Sequence, residues 1–226
     1  MEKKTKVFGT ASIDYHVNGE IPELLILSGM HGDEIGVDKS VWDAVIKYEQ
    51  NLPPFLFIPS VSPSATNLKT RINKDGVDIN RNFFDDSKIE EARAVMEIVK
   101  NLRLNTMINF HEDPEYMDFY FYDGFGINIE GTSTLSALRQ GVKQLGIGLL
   151  NGVDDPSDKA LGYEFINGYR YFSPSSLKKN KYGMFGTWAC SKRIINRSIV
   201  PEVPGRLPQP MKDRLVRLVF EKLLIS

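Results

Sequence analysis

Short apolar runs of strand length alternate with segments of helical periodicity along this chain. The runs at 23–28 and 55–59 predict buried strands, and between them apolar residues recur at helical spacing from Val37 to Tyr48. Strands that alternate with helices predict an α/β protein with helices on both faces of its sheet. Several predicted strands are too close in sequence for crossover helices, so we expect a mixed, mostly parallel twisted sheet.

The second half of the chain carries weaker local signals. Residues 151–182 are dominated by glycine, aspartate, proline, serine and tyrosine, which predicts long loops with a lid or binding role. Segments 186–190 and 194–200 are apolar and predict two further strands. Ser87 followed three residues later by Glu90 is typical of a capping box, which predicts the start of a helix there.

Composition excludes several classes of function. The chain has 226 residues, of which 42% are hydrophobic and 25% charged, enough for a sizeable core. A formal net charge of −1 leaves no basic excess for nucleic acid or a membrane surface. No apolar run approaches the ~20 residues of a membrane span, and no apolar signal region follows the first residues. Because the single cysteine, Cys190, has no partner for an internal disulfide, we expect a cytoplasmic enzyme or binding protein.

Two of the three histidines follow predicted strands. His31 comes just after the 23–28 run and His111 just after the run at 106–108, and strand ends are where sheet proteins place their chemistry. Glu34 lies three residues after His31. Two neutral imidazoles and one carboxylate form a zinc set that leaves one position for water. Alternatively, His31 and Glu34 stabilise a helix start and His111 is structural.

Two arginines lie in the loop-rich region between these histidines. Arg71 ends the run Lys69-Thr70-Arg71, and Arg81 lies within residues 76–83. The planar guanidinium group donates two parallel hydrogen bonds, which suits recognition of a carboxylate. The alternative is that both are surface arginines in solvated loops.

Five short motifs follow one another in an order typical of one family. They are His31-x-x-Glu34, Lys69-Thr70-Arg71, the Asp-Ile-Asn-Arg-Asn-Phe run at 78–83, His111 and Glu202. In this order they resemble the zinc metallocarboxypeptidases of the carboxypeptidase A type, and most closely the small bacterial murein peptide amidases. The chain also shares features with the succinylglutamate desuccinylase and aspartoacylase branch. The resemblance extends from residue 24 to residue 205.

The resemblance implies a metal centre and a fold. It makes His31, Glu34 and His111 the ligands of one zinc ion per chain. It also implies that residues 1–226 form a single zinc carboxypeptidase-like catalytic domain, with a roughly eight-stranded mixed sheet between helices. This fold agrees with the α/β sheet expected from the apolar runs.

The same resemblance implies roles for four further residues. Arg71 matches the arginine that polarises the scissile carbonyl, and Asn80 with Arg81 matches the pair that binds the terminal carboxylate of the substrate. Glu202 matches the general acid/base at the end of a late strand. Its flanking prolines, Pro201 and Pro204, would also suit an exposed carboxylate at a strand edge, so its position in the series of motifs decides the assignment.

Two features depart from the family or stay open. Glu112 and Asp113 follow His111 where many relatives have serine or alanine. They could orient a ligand imidazole, reject acidic substrates, attract an amino group or be solvated loop charges. The large carboxypeptidases also close a mobile tyrosine over the substrate, and the sequence leaves four candidates for it: Tyr163, Tyr169, Tyr171 and Tyr182.

The expected activity is zinc-dependent hydrolysis of an amide or peptide bond next to a residue with a free carboxylate. The substrate would be a small peptide or an acyl-amino acid, and one specific hypothesis is a cell-wall peptide amidase. An N-acyl amino acid deacylase of the aspartoacylase type is the alternative. A non-catalytic binding protein on the same fold is a third. No nucleic-acid or membrane partner is expected, and the sequence does not indicate an oligomeric state.

Overall fold

Twelve strands and six α-helices lie in the described part of the chain, which is residues 1–158, 160–176 and 181–225 of a computed structural model. The strands are β1 (Glu2–Phe8), β2 (Ala11–Asn18), β3 (Leu24–Leu27), β4 (Phe55–Ile58), β5 (Leu104–Asn109), β6 (His111–Asp113), β7 (Asp118–Gly124), β8 (Gly148–Leu149), β9 (Gly152–Val153), β10 (Glu164–Phe165), β11 (Tyr169–Phe172) and β12 (Ile195–Pro204). The helices are α1 (Ile35–Tyr48), α2 (Pro63–Leu68), α3 (Glu90–Val99), α4 (Ser133–Gln144), α5 (Phe185–Ser191) and α6 (Gln209–Leu223).

Ten of the described strands form one sheet. Its main order is β1-β2-β4-β3-β5-β12-β7-β11, with β6 beside β12 and β8 beside β7. The β1–β2, β2–β4 and β12–β7 pairs are antiparallel, and the other six are parallel. The prediction of a mixed, mostly parallel sheet of roughly eight strands is confirmed.

Helices cover both faces of this sheet. Helices α1, α4 and α6 pack on one face, where Val41, Leu138 and Val216 are among the buried residues of a shared core. Helices α3 and α5 pack on the other, where Val95 and Trp188 are buried. Because both faces are covered, every residue of β3 and β4 is buried, which explains their uninterrupted apolar sequences. No helix in the described ranges is long and apolar enough to cross a membrane.

Two predictions for the second half of the chain are wrong or incomplete. The segment 186–190, predicted as a strand, lies in helix α5. Its buried residues Phe185, Trp188 and Ala189 follow the i, i+3, i+4 spacing of a helix, a period hidden by the shortness of the run. The 151–182 region contains the β9–β10 hairpin and β11, which extends the sheet beside β7.

The helix-start prediction at Ser87 is also wrong. Helix α3 begins at Glu90, and its N-cap residue is Ile89, which makes no side-chain cap. The Glu90 carboxylate instead accepts hydrogen bonds from the backbone N and Oγ1 of Thr10, at 2.8 and 2.6 Å. Thr10 lies in the turn of the β1–β2 hairpin, for which the sequence analysis predicted no strands. A tertiary contact therefore replaces the local capping box.

Candidate active site

His31 and Glu34 lie in the connection between β3 and α1. Gly29 has a φ of +63°, and a Cβ atom there would lie 2.8 Å from Cα of Ser60. A Cβ atom on Gly32 would lie 1.8 Å from the carbonyl oxygen of Ala65. Only glycine fits such close backbone contacts. The two glycines therefore turn the chain sharply after β3 and bring the side chains of His31 and Glu34 over the end of the sheet.

Two histidines and one glutamate converge at this end of the sheet. His31 Nδ1 lies 2.6 Å from Oε1 of Glu34, and His111 Nδ1 lies 3.1 Å from Oε2 of the same carboxylate. One ligand atom from each residue lies within 4.8 Å of the others, and all three residues are buried. Oε2 of Glu34 accepts no hydrogen bond in the described structure. A buried carboxylate oxygen in this position, beside two imidazole nitrogens, fits a metal ion.

Without an ion, the Glu34 carboxylate is in hydrogen-bond contact with both imidazoles. Burial by itself lowers the pKa of His31, but its hydrogen bonds to Asp78 and Glu34 raise it to about 9. Burial would raise the pKa of Glu34, yet His111 and His31 lower it to about 2. A metal ion that binds here must displace the imidazole protons, so its affinity is expected to rise with pH.

Each imidazole has a partner for its second nitrogen. Oδ1 of Asp78 lies 3.2 Å from Nε2 of His31, and Nδ2 of Asn109 lies 2.8 Å from Nε2 of His111. The Asp78 carboxylate accepts from a protonated Nε2 of His31, a contact that orients a ligand ring and leaves Nδ1 facing the ion. A ligand His111 would need an acceptor at Nε2, which Oδ1 of Asn109, unpartnered as placed, supplies after a flip of the amide. Neither Asp78 nor Asn109 has a role predicted from the sequence. Signals for both existed, because Asp78 opens the 78–83 motif and Asn109 precedes His111 by two positions at the end of β5.

Arg71 lies at the open side of this cluster. Its side chain is 50% exposed, and Nη2 donates to Oδ2 of Asp78 at 3.0 Å. Burial alone would raise the pKa of Asp78, but His31 and then Arg71 hold it well below its usual range. An exposed guanidinium group tied to one carboxylate has room to reorient toward a substrate oxygen.

Asn80 and Arg81 lie in a single 3-10 turn, Ile79–Arg81, next to the start of α5. The turn begins where Oδ1 of Asp78 accepts a hydrogen bond from the backbone N of Asn80 at 2.8 Å. Oδ1 of Asn80 accepts from the backbone N of Phe185 at 3.0 Å. Asn80 therefore anchors α5 to the turn, a role that the sequence did not indicate. Arg81 lines the cleft, and its Nη1 donates to the backbone oxygen of Asn80 at 2.9 Å.

Glu202 lies on β12, the strand between β6 and β7. Its register partners are His111 on β6 and Tyr120 on β7, and it lines the same cleft as the histidine–glutamate cluster. Burial, followed by repulsion from Glu34 and Asp113, raises the pKa of Glu202 well above its usual value. A carboxyl group with a raised pKa is more readily protonated than an ordinary glutamate, which suits a group that takes up and returns a proton.

One cleft of about 1240 Å³ connects all of these side chains. It is lined by every residue that the sequence analysis proposed for the site: His31, Glu34, Arg71, Asn80, Arg81, His111 and Glu202. These residues come from five separate parts of the chain. Their roles remain predictions, but the structure brings all seven to one place.

The structure narrows the choice among the four candidate tyrosines. Tyr163 and Tyr182 line the cleft. Tyr169 is buried, and its hydroxyl donates to Asp123 at 3.0 Å. Tyr171 donates to the backbone oxygen of Gly126 at 2.7 Å. Only the first two are placed to move over a bound substrate.

Glu112 and Asp113 have internal partners. Nζ of Lys212 on α6 lies 2.5 Å from Oε1 of Glu112, and both side chains are less than 10% exposed. The hydroxyl of Tyr120 donates to Asp113, which also accepts from the backbone N of Glu115 at 2.7 Å. These contacts favour a structural role for both carboxylates, at the point where β6 meets α6 and β7.

Comparison with solved structures supports the fold. A candidate metallopeptidase from Shewanella denitrificans aligns with a TM-score of 0.72 and 17% identity, covering 97% of this chain and 82% of its own. A metallo-carboxypeptidase from Burkholderia cenocepacia aligns with a TM-score of 0.62 and 12% identity, covering 98% and 63%. A succinylglutamate desuccinylase/aspartoacylase from Rhodobacter sphaeroides aligns with a TM-score of 0.55 and 15% identity, covering 99% and 66%.

These likenesses confirm the predicted resemblance at the level of the fold. The chain matches no protein-family model and no curated protein. At identities of 12 to 17%, the alignments establish a shared architecture. Function must be argued from the side chains in the cleft.

Proposed function

We propose that this chain is a zinc-dependent hydrolase that cleaves an amide or peptide bond next to a residue with a free carboxylate. One observation carries the proposal: the donors of His31, Glu34 and His111 converge on one point, and His111 is the register neighbour of Glu202 on the adjacent strand. Two nitrogens and one carboxylate are the ligands of catalytic zinc sites in hydrolases. The metallopeptidase and carboxypeptidase descriptions of the aligned structures support the same reading.

The residues of the chain divide the chemistry between them. A zinc ion held by the three donors would lower the pKa of a water molecule and polarise the substrate carbonyl. Glu202 takes a proton as water attacks the carbonyl carbon, and it returns this proton to the leaving nitrogen. Arg71 donates hydrogen bonds to the oxygen on which negative charge develops, a contribution of ~3 kcal/mol for one preorganised donor.

Arg81 sets the position of the substrate. Arg81 lines the cleft beside Asn80, which contacts the start of α5, and a guanidinium group can hold a carboxylate through two hydrogen bonds. Binding energy gained there orients the scissile bond between the metal donors and Glu202. A substrate without the free carboxylate should therefore react more slowly.

Metal content and chelation test the proposal. Protein purified without chelator should contain about one equivalent of zinc by mass spectrometry, and chelator should abolish hydrolysis until zinc is restored. The His111→Ala variant should lose both the metal and the activity, while His16→Ala, outside the cleft, should keep both. Zinc content below half an equivalent, together with turnover that chelator does not change, would contradict the proposal.

N-acyl amino acid hydrolysis is the second candidate. The aligned desuccinylase/aspartoacylase structure favours it, because the same donor set could serve either bond. Turnover of dipeptides, tripeptides, cell-wall-derived peptides and N-acyl amino acids in one panel separates a peptidase or cell-wall amidase from a deacylase. Zinc binding without turnover of any member would favour a non-catalytic binding protein. A cytoplasmic location and a small peptide or acyl-amino acid partner belong to the same proposal.

A further inference from the structure

Helix α1 begins at a residue whose side chain is engaged elsewhere. Glu34 is the N-cap residue of α1, but its side chain does not cap the helix, because its carboxylate contacts His31 and His111. The first N–H groups of a helix have no partner within the helix. The start of α1, which fixes the position of Glu34, therefore needs a partner from another part of the chain.

Glu112 on β6 supplies this partner. A Cβ atom on Gly36 would lie 2.5 Å from Oε1 of Glu112, so the carboxylate lies against the first turn of α1. Burial raises the pKa of Glu112, and hydrogen bonds from Lys212 and from the backbone N of Val37 oppose this increase. Glu112 also follows His111 directly in the chain. One side chain thus connects the strand that carries His111 to the helix that follows Glu34.

A buried cation holds Glu112 in this position. Nζ of Lys212 on α6 lies 2.5 Å from Oε1 of Glu112, and both side chains are less than 10% exposed. A Cβ atom on Gly36 would lie 2.7 Å from the same Nζ, so the ion pair rests on the backbone of α1. Alanine is the better helix former. Glycine at position 36 therefore suits the space that the pair occupies.

A second carboxylate ties the same turn of α1 to the segment of His31. Oδ1 of Asp38 accepts a hydrogen bond from the backbone N of Gly29 at 2.7 Å, in the turn that precedes His31. Asp38 therefore holds His31 and Glu34 together as one unit. Glu112 joins this unit to the strand of His111.

We propose that the Glu112–Lys212 pair is a positioning device for the metal site, which fixes the start of α1 relative to β6 and thereby the place of Glu34 relative to His111. The inference rests on the proposed function, since it takes His31, Glu34 and His111 as zinc ligands. Metal affinity depends on how well the ligands are held by the groups around them, and loss of such a group typically lowers it 10- to 100-fold.

Two variants separate positioning from stability. Lys212→Met leaves Glu112 buried without its cation, so both zinc affinity and the free energy of unfolding should fall. Combining Lys212→Met with Glu112→Met replaces the pair by apolar side chains, which should restore stability. Zinc affinity should stay about 10-fold below that of the wild type, because the contact between β6 and α1 is still absent.

Competition with a chromogenic chelator measures the zinc affinity, and urea unfolding of the zinc-free protein measures the stability. The double variant decides the question even where Lys212→Met does not fold, because it leaves no charge unpaired. Wild-type zinc affinity in the double variant would overturn the inference.

Gly36→Ala tests the pair from the side of α1. It keeps both charges and favours the helix, yet its Cβ atom would displace the pair, so zinc affinity should fall about 10-fold. Ser40→Ala is the matched control, one turn further along α1, where Oγ of Ser40 donates to Asp213 on α6 at 2.7 Å. It should lower stability and keep wild-type zinc affinity. Unchanged zinc affinity in Gly36→Ala, or an equal loss in Ser40→Ala, would overturn the inference.

Hydrogen exchange provides a readout that needs no metal. In the zinc-free protein, the backbone amides of residues 35–38 should exchange about 10-fold faster in the double variant than in the wild type. Wild-type protein that binds no zinc would contradict the hydrolase proposal, and the exchange rates would still decide whether the pair fixes the start of α1. Zinc-dependent turnover, with unchanged zinc affinity and exchange in the double variant, would contradict the positioning role alone.

Discussion

The two ends of the cleft share strands β12 and β7, with β6 beside them at one end and β5 at the other, yet they differ in charge, partners and the source of their side chains. At one end, Glu202 lies beside His111 and Tyr120, and His111 and Tyr120 each have a hydrogen-bond partner. At the other, Ser198 faces Met107 and Gly124. The residues of the charged end lie at strand ends and in the adjoining loops. Those of the uncharged end lie within strands and are covered by α5.

This difference indicates how one face of a sheet can place the catalytic groups at one end and the groups that select the substrate at the other. Charges are stable at the strand ends because Asp78, Arg71 and Asn109 partner the histidines and carboxylates there. The uncharged end lies against helix α5, which brings no such partners, so an unpaired charge there would be costly. Changes at the charged end should therefore alter rate or metal affinity, and changes at the uncharged end should alter substrate choice.

The largest expected effect is at Glu202. Glu202→Gln removes the proton acceptor but keeps the shape of the side chain, so kcat should fall by about 10³ for every substrate. Zinc content and the affinity for a free amino acid product should not change. Stopped-flow or steady-state rates, with mass spectrometry for the metal, measure these effects, and Glu115→Gln at the rim is the control. Retention of more than a tenth of the wild-type turnover would contradict its assigned role.

Arg71 should contribute less than Glu202 to kcat, and its contribution should be the same for all leaving residues. Arg71→Gln removes a donor to the developing oxyanion, so we expect kcat to fall by about 100-fold. The ratio of kcat/KM between leucine-ended and lysine-ended substrates should stay the same. Arg206→Gln removes another guanidinium group that lines the cleft and is the matched control. A change in that ratio would show that the two ends are not separate.

Asp78→Asn should lower the affinity for zinc. The Asp78 carboxylate orients His31 by its contact with Nε2, which leaves Nδ1 for the metal, so zinc affinity should fall by 10- to 100-fold, as is typical for such outer partners. Competition with a chromogenic chelator measures this affinity. Asp75→Asn, in the same loop and exposed, is the control. With zinc in excess, substrate selectivity should match the wild type, and a shifted selectivity would count against separate ends.

The smallest effect concerns His16, which lies outside the cleft. His16 is 8% exposed between the Trp42 and Phe57 rings, and burial lowers its pKa below 6.5. The unfolded chain therefore binds the proton more readily, so stability falls as the pH drops below about 6.5, by at most ~1.4 kcal/mol per pH unit. Urea unfolding of wild type and His16→Phe between pH 5 and 8 checks this, and parallel pH dependences would refute it.

The apolar pattern predicted the fold class because burial leaves a direct trace in sequence. Strands β3 and β4 are covered on both faces and appear as uninterrupted apolar runs. The sequence did not predict helix α5 or strand β11, because neither leaves a clear apolar pattern. Seven residues of α5 are too few to separate a helical period from a strand, and β11 pairs with β7 while three of its four residues are only partly buried.

The order of motifs along the chain by itself determined the seven proposed site residues and the expected type of metal centre, because each residue type carries its chemistry with it. Only the tertiary structure decided what surrounds them: the partners of the two imidazoles, the anchoring of α5 by Asn80, and the uncharged row of Met107, Ser198, Gly124 and Phe172. These four residues lie far apart in sequence and carry no motif. Strand register places them side by side, and register is fixed by packing across the whole sheet.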